Sequence, residues 1–519
     1  MTRRRPTFSP SPAARVVLLG SVFLVAACGL VYELVAGAVS SYIMGDAVTQ
    51  FSLVIGVFLC AMGLGSYLAK FVVGDLLKTF IEVEIVIGLV GGLSSIAMFA
   101  VSAYLDPVFP VIFYSLCATI GILIGIEIPL LIRILKENAD FSDAVSHVLA
   151  IDYAGALVGA ILFPLVVLPW LGLSRASVVF GVMNLVVAAA GITFLGGRRL
   201  WISLRLTAAA LILMLALIFS GEMVGFLEDM LYQDSVIYAK TTTYQRIVLT
   251  RWRDDIRLFL NGHIQFSAVD EARYHEALVL PAMELAARPE TVLILGGGDG
   301  MAAREVLKYG PVKRIVLVDL DPEMTRLGRE RPELVALNGG SMNDARVDIV
   351  NTDAMKYVEN SRDFFNVIIV DLPDPNSESM TKLYSTAFYA LCSRRLAVGG
   401  VMVTQATSPF FAPDAFWCIA ATIAGAAAPE NDTARLIAVP YHVHVPSFGE
   451  WGFVLAAKHP LNPQTAKVSV PTRFLTTETL GAMFSFGKDL MSAGAVEINR
   501  LDQPVLYQYY LQGWRRFNE

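Results

Sequence analysis

The segment Thr291-Val292-Leu293-Ile294-Leu295-Gly296-Gly297-Gly298-Asp299-Gly300 decides the reading of this chain. Thr291–Leu295 is a nearly continuous apolar run, as expected of a strand covered on both faces. A glycine loop follows, and then a helical stretch, Ala302–Tyr309. Glycines at such a turn let backbone come close to a ligand in the crevice beyond the strand ends. The next apolar run, Arg314–Val318, ends at Asp319, about 20 residues on, where a carboxylate can bind both ribose hydroxyls. A glycine loop alone is weak; loop, acid-tipped strand and alternation together point to a nucleoside site.

Downstream, strand-like runs continue at Val347–Val350, Val367–Val370, Val401–Thr404, Arg435–Val439 and Phe453–Ala457, with helical stretches such as Glu323–Arg329 between them. This predicts a Rossmann-like, doubly wound, mostly parallel α/β domain over 281–519. Immediately upstream, residues 229–280 alternate apolar and polar in short runs. Asn261-Gly262 sits between two of them as a hairpin turn, predicting a small antiparallel β-subdomain.

Residues 1–228 are of another kind. The whole chain of 519 residues is 55% hydrophobic but only 17% charged, against about 25% charged in an average soluble protein. Most of the shortfall lies before Glu222. Apolar runs of about 20 residues, long enough to cross a bilayer, fall near Val16–Val35, Phe51–Val72, Ile81–Val101, Val111–Leu131, Val148–Leu168, Val178–Leu195 and Leu206–Val224. They predict a multi-pass bundle of about seven helices in a cell (inner) membrane. The first run is too long for a signal peptide and lacks a cleavage site. One set of connecting loops holds Arg3–Arg5, Arg15, Lys70, Lys78, Arg133, Lys136, Arg198, Arg199 and Arg205; the other holds little beyond Asp46, Asp106 and Arg175. The positive-inside rule puts the N-terminus in the cytoplasm. Seven crossings then put the C-terminal domain outside, whereas a nucleoside substrate is made inside, so the side of that domain stays open. Glu33, Glu82, Glu84, Glu127 and Asp152 fall within the apolar runs. They are expected to face the bundle interior, as a cation path or as interhelical hydrogen bonding, or else to lie nearer the interface; Glu127, two residues before Pro129, is the strongest of these for a path.

A formal net charge of −6 argues against a nucleic-acid partner. The cysteines Cys28, Cys60, Cys117, Cys392 and Cys418 form no CxxC pair or metal-ligand spacing and read as small apolar residues. Trp252 and Trp417 read as packing. Leu501–Trp514, with Tyr507, Tyr509 and Tyr510, reads as a docking helix or an interfacial aromatic segment.

The acids of the C-terminal half carry the chemistry. Asp299, inside the glycine loop, repels pyrophosphate but welcomes an amine, which favours a nucleoside with a cationic tail over a dinucleotide. Asp353-Ala354 follows the third strand, where an adenine amino group could be met. The fourth strand ends in Asp371-Leu372-Pro373-Asp374-Pro375, two carboxylates stiffened by two prolines, able to bind an ammonium group and accept its proton.

Gly296–Gly300, Asp319, Asp353 and Asp371–Pro375 resemble the corresponding motifs of the spermidine synthase (polyamine aminopropyltransferase) family. Tyr244-Gln245 and Asp270-Glu271-Ala272-Arg273-Tyr274-His275-Glu276 resemble the family's upstream segments. The resemblance covers roughly Tyr244 to Lys458; some bacterial members carry a multi-pass N-terminal extension. It implies transfer of an aminopropyl group from decarboxylated S-adenosylmethionine to a diamine, usually putrescine, giving spermidine and 5′-methylthioadenosine with no metal and no further cofactor. It implies Asp371 as proton acceptor and Asp374 as a polyamine ligand. Asp299 would hold the donor's aminopropyl ammonium. Gln245, Gly296, Gly298, Asp319, Asp353 and Ala354 would hold the nucleoside, and Tyr274 and His275 would line the amine groove. Soluble relatives associate, which implies a homo-oligomer. Two departures stand out: Pro375-Asn376-Ser377-Glu378 replaces the family's Ile-Gly-Pro continuation, and a tyrosine common in a later loop has no match around Val445-Pro446-Ser447. Two other readings compete: an S-adenosylmethionine-dependent methyltransferase, and a membrane polyamine-binding or transport protein with a non-catalytic soluble module.

Overall fold

The structure, a computed structural model, describes residues 12–44, 47–104, 108–135, 141–193, 200–232, 234–426, 435–492 and 494–518. Of the residues used above for topology, Arg3–Arg5, Asp46, Asp106, Lys136, Arg198 and Arg199 lie outside them. The chain divides into two compact units, Met1–Val236 and Ile237–Glu519.

The first unit is helical: α1 (Pro12–Met44), α2 (Ala47–Leu68), α3 (Leu76–Tyr104), α4 (Phe109–Leu135), α5 (Phe141–Leu162), α6 (Leu168–Thr193) and α7 (Leu200–Tyr232). Among the described residues six helical stretches are long and apolar enough to cross a membrane. The longest, Val145–Thr193, has 49 residues, roughly 73 Å of helix and more than twice a hydrocarbon layer. It is broken at Gly172, whose φ of 68° and ψ of 179° end one arm and begin the next. Each of the seven expected runs overlaps one of these helices, although Val148–Leu168 runs on from α5 to the first residue of α6 and Leu195 lies outside the described residues.

Polarity in this unit is inverted. Leu59, Leu157, Leu165, Trp170 and Leu211 face outward, while Ser95, Ser177, Glu84, Glu127 and Asn184 are buried. Helices approach through small residues, as membrane helices do where no water drives them together. A Cβ on Gly65 of α2 would lie 2.1 Å from the Ile122 carbonyl oxygen of α4, and one on Gly155 of α5 would lie 2.2 Å from that of Phe23 in α1. Pro129 removes the amide that would bond the Gly125 carbonyl. Ser66 Oγ donates to that carbonyl instead, at 2.9 Å, so the proline leaves no free acceptor there. Glu82 takes the interface position among those alternatives: half-buried and bonded to Arg205 at 3.2 Å near the start of α3, it belongs to the end of the bundle. Cys60 is exposed, unlike the other four cysteines, so its expected burial does not hold.

The second unit holds two sheets. Strands β1 (Ser235–Thr241), β2 (Arg246–Trp252), β3 (Asp255–Leu260) and β4 (His263–Ser267) form a four-stranded sheet in sequence order. Asn261 and Gly262 both have positive φ, 51° and 83°, the geometry of a tight two-residue hairpin. Ile247, Leu249, Leu258 and Phe266 of this sheet pack on Met301, Met324, Leu327 and Leu334 of the neighbouring domain, so the two share one core. Trp252 is half-exposed beneath the Arg253 guanidinium and is not a packing residue.

Helix α8 (Glu271–Leu285) leads into the main sheet. In chain order come β5 (Thr291–Gly296), α9 (Met301–Leu307), β6 (Arg314–Asp319), α10 (Pro322–Glu330), α11 (Pro332–Asn338), β7 (Val347–Asn351), α12 (Ala354–Asn360), β8 (Phe365–Asp371), α13 (Glu378–Thr381), α14 (Thr386–Arg395), β9 (Leu396–Gln405) and α15 (Pro413–Gly425). The chain ends with β10 (Ile437–Val445), β11 (Gly449–Ala457), α16 (Thr477–Ala482) and α17 (Val505–Asn518). The seven strands lie in the order β10-β11-β9-β8-β5-β6-β7. The run β9-β8-β5-β6-β7 is parallel, whereas β11 is antiparallel to β9 and β10 to β11. Completely buried residues such as Leu293, Ile294, Val316, Ile369 and Val403 fill both faces, as expected of strands sandwiched between helices. The C-terminal segment is the docking helix expected: Leu506, Tyr507 and Tyr510 of α17 are buried against this domain.

Candidate active site

Strand order fixes where a ligand goes. From β5 the chain proceeds to β6 and β7 on one side, then returns to β8 on the other. The carboxyl ends of β5 and β8 therefore flank the switch point at which such sheets bind ligands. Gly296 at the end of β5 is paired with Asp371 at the end of β8. A Cβ on Gly296 would lie 2.0 Å from the Asp371 carbonyl oxygen, so nothing larger than glycine fits between the two loops.

The side expected to face a nucleoside is built on Asp319. Gly298 N–H donates to its Oδ2 at 3.0 Å and Asp321 N–H to its Oδ1 at 2.9 Å. Burial pushes this carboxyl up to about 6, against the pull of those two amides. Gln245 reaches the same region: its Nε2 donates to Asp321 Oδ2 at 3.2 Å, and Thr242 Oγ1 donates to the same oxygen at 2.7 Å. The small sheet thus delivers Gln245 to the tip of β6. Asp353 caps α12 through Lys356 N–H and pairs with Lys382 Nζ at 2.7 Å; Ala354 beside it is buried. Asp299 is nearly buried in the glycine loop, its Oδ1 accepting from Met301 N–H at 2.9 Å.

The acidic side centres on Asp371. Tyr274 Oη donates to Asp371 Oδ1 at 2.8 Å, and Oδ2 lies over Gly297, 3.1 Å from where a Cβ would stand. Burial raises the Asp371 carboxyl, and Asp299 adds to the rise, while the His275 imidazolium and the Tyr274 hydrogen bond oppose it. Asp374 Oδ2 accepts from Thr407 Oγ1 at 3.2 Å; its Oδ1 is buried with no partner among the described residues. Burial pushes Asp374 up to about 6, against the nearby Gln405, Thr407 and Tyr510.

His275 does not line an open groove. At 2% exposed it lies behind Tyr274, rings edge to face at 5.0 Å, and its Nδ1–H donates to Glu271 Oε2 at 2.9 Å. The cause is helical spacing: Glu271 and His275 stand four residues apart on α8. Burial pulls the imidazole down, but Glu271 more than compensates and holds it at about 9, so it is a buried cation behind two aspartates. Glu271 itself, resisting burial through His275 and Arg304, is held at about 2. Arg304 grips both its oxygens at 3.0 and 2.8 Å, and Arg473 Nη1 reaches Oε1 at 2.7 Å.

Several residues of this site escaped the sequence reading. Gln405 Nε2 donates to the Leu372 carbonyl at 2.8 Å, and Tyr384 Oη donates to that of Pro373 at 2.9 Å, so together they hold the Asp371–Pro375 loop. Thr407 takes a φ of 56°, turning its hydroxyl to Asp374. Gln405-Ala406-Thr407-Ser408 at the end of a buried parallel strand was a visible signal, because strand carboxyl ends face the crevice. Tyr510, about a hundred residues further on, carried none. Among the described residues no group of three His, Cys, Asp or Glu side chains could hold a metal ion.

A Rossmann-like sheet whose switch point is lined by aspartates instead of phosphate-binding cations suits the class of transferases that take cationic substrates. Residues 271–466 match the family model of the spermine/spermidine synthase domain. Over 98% of its length the chain is 46% identical to polyamine aminopropyltransferase 1 of Ralstonia nicotianae, covering 97% of that protein. It is 44% identical to the polyamine aminopropyltransferase of Leptospira interrogans, over 96% of this chain and 98% of the relative. A crystal structure of spermidine synthase in complex with the transition state analogue AdoDATO aligns with 49% of this chain and 88% of its own at 28% identity, with a TM-score of 0.44. The chain belongs to the polyamine aminopropyltransferase family and is an enzyme of that kind. Because the relatives match almost end to end, the helical unit is shared with them and is not peculiar to this chain.

Proposed function

We propose that this enzyme transfers the aminopropyl group of decarboxylated S-adenosylmethionine to a diamine, with putrescine as the acceptor, and that the helical unit holds it in a lipid bilayer. The observation that carries the first part is Asp371, fixed by Tyr274 with one oxygen turned over the glycine loop. In this reading Asp319 and Gln245 hold the ribose side, Asp353 and Ala354 the adenine side, and Asp299 the aminopropyl ammonium. A neutral acceptor nitrogen attacks the methylene carbon bound to sulfur. The new C–N bond forms as the C–S bond breaks, and both electrons of that bond leave with 5′-methylthioadenosine. The proton shed by the acceptor nitrogen passes to Asp371. The sulfonium is already a good leaving group, so the protein's tasks are positioning and deprotonation, with no cofactor beyond this co-substrate.

Asp374 holds the acceptor's distal ammonium, which suits its unpartnered Oδ1. Phe448 packs against Tyr274 at 5.9 Å and against Trp451 at 5.1 Å, so an aromatic wall stands where the family's tyrosine is missing. Such a wall favours the methylene chain of a diamine. Support for the membrane comes from the apolar exterior and glycine-mediated packing of the helical unit. Association into a homo-oligomer belongs to the same reading and is read by light scattering of the solubilised protein.

Turnover of the detergent-solubilised full chain with decarboxylated S-adenosylmethionine and a panel of amines tests this. Release of 5′-methylthioadenosine with an aminopropylated diamine is expected. A methylated product from intact S-adenosylmethionine, or polyamine binding without methylthioadenosine release, would overturn it in favour of the competing readings.

A further inference from the structure

A second set of acids is buried in the helical unit, and nothing in the transferase chemistry uses it. Glu84 of α3 and Glu127 of α4 are 0% and 1% exposed. Their carboxyl groups lie close enough to hydrogen-bond each other, yet no other described residue bonds any of their four oxygens. Asn184 of α6, 1% exposed, donates to Tyr32 Oη of α1 at 3.0 Å, and Tyr32 in turn is within reach of both glutamates. The Oδ1 of Asn184 is likewise buried without a partner.

Chain direction places these groups at one level. Glu84 stands eight residues after the start of α3 at Leu76, Glu127 eight before the end of α4 at Leu135, and Asn184 nine before the end of α6 at Thr193. At 1.5 Å per residue each is about 12–14 Å from the same end of the bundle. That end carries Lys70, Lys78 and Arg133, the end the positive-inside rule assigns to the cytoplasm. Asp152 of α5, half-buried, adds a further acid within reach of Glu127.

Polar atoms enclosed without partners are costly, and more so in a low-dielectric surrounding. Five acceptor oxygens from three helices, answered only by the bond between the two glutamates and by the nearby Tyr32 hydroxyl, suit a ligand that brings positive charge and N–H groups. A metal ion is the poorer fit, since no three acidic, cysteine or histidine side chains converge there. We propose that Glu84, Glu127 and Asn184 form a binding site for an alkylammonium group, a polyamine-type cation, inside the helical unit and distinct from the transferase site. That it takes the enzyme's own class of amine rests on the function proposed above; the cation site itself does not.

The test is equilibrium binding of radiolabelled spermidine and putrescine to the full-length protein in nanodiscs, without nucleoside donor, with Na⁺ and K⁺ as competitors. The background is the Asp371→Asn, Asp374→Asn double variant, which weakens the soluble site. One polyamine per chain should remain bound. Its Kd should rise at least tenfold in Glu84→Gln or Glu127→Gln and severalfold in Asn184→Leu, each added to that background. Introduced alone, Glu127→Gln should leave aminopropyl turnover within twofold of the parent, which separates this site from the proposed reaction. Unchanged binding in Glu127→Gln and Asn184→Leu proteins that keep the parent's elution profile and Tm would overturn the proposal. So would a site at which millimolar Na⁺ or K⁺ displaces polyamine completely, since that marks an inorganic-cation site. If turnover fails in the parent while the ammonium site binds, the proposed reaction falls and this inference stands.

Discussion

Two of the molecule's sets of buried carboxylates are built differently. At the sheet's edge each acid has at least one assigned donor: Asp371 has Tyr274, Asp374 has Thr407, Asp319 has two backbone amides and Asp299 has Met301 N–H. In the helical unit Glu84 and Glu127 have none beyond each other among the described residues. A wired acid has a fixed direction and can be aimed at a proton. A bare one can only wait for a charge. The comparison teaches that burial alone does not show whether a carboxylate is held in one direction, whereas the donors around it do.

The largest effect expected on this contrast is from Asp371→Asn. It keeps the shape of the side chain and the Tyr274 contact but removes the base, so turnover should fall by about 10²–10⁴-fold, the usual range for a general base. Donor binding should stay within a few-fold, measured by calorimetry with 5′-methylthioadenosine. Tyr274→Phe removes only the bond that aims the carboxylate. It should lower kcat by roughly tenfold to a hundredfold, short of Asp371→Asn on the same range for proton transfer. If the two matched, Tyr274 would be more than an aiming group. Asp319→Ala should raise the donor KM at least tenfold while changing kcat much less, because it acts on binding and not on the proton; an equal loss in both would contradict its place on the nucleoside.

Smaller, but diagnostic of the wired set as a whole, is the response of stability to pH. Native Asp319 and Asp374 titrate near 6, against an ordinary 3.8. Between those values the folded protein binds more protons than the unfolded one, so stability falls as pH rises through this window. His275, held at about 9 against an ordinary 6.5, contributes fully below 6.5, and its contribution is lost as pH rises through 9. Both signs agree: the ligand-free enzyme should have a higher Tm at pH 5.5 than at pH 8. Saturating spermidine should shrink the difference, since a bound cation takes the place of the proton. The smallest effect expected is from Tyr510→Phe, a few-fold rise in acceptor KM with donor KM unchanged.

How legible these features were depends on where their physics lies. The helices of the first unit were readable because about 20 apolar residues in a row have few other uses. The alternation of β5, β6 and β8 was readable because strands buried on both faces are apolar throughout. The acids at their tips were readable because they interrupt those runs: Asp319 and Asp371 end theirs abruptly. The hairpin of β10 and β11 was half-read, since Arg435–Val439 begins two residues before β10 and stops six short of its end at Val445. The polar residues Tyr441, His442 and His444 disguised the rest of that edge strand. His275 was placed in the groove because a motif reports neighbours in sequence; only the turn of α8 shows that it faces Glu271. Position in a run left Glu82 open between interior and interface, and Arg205, over a hundred residues away, decides it. Gln405 and Tyr384 went unread because what they hold is a backbone loop, and backbone carbonyls leave no trace in a sequence.

Helix α17, Val505–Asn518, brings Tyr510 beside Asp374 while Trp514 stacks on Phe411 at 4.9 Å. One wall of that pocket is therefore carried by a docked helix and not by the sheet itself. Trp514→Ala, which loosens the dock without touching the glycine loop, should weaken acceptor binding and leave donor binding unchanged.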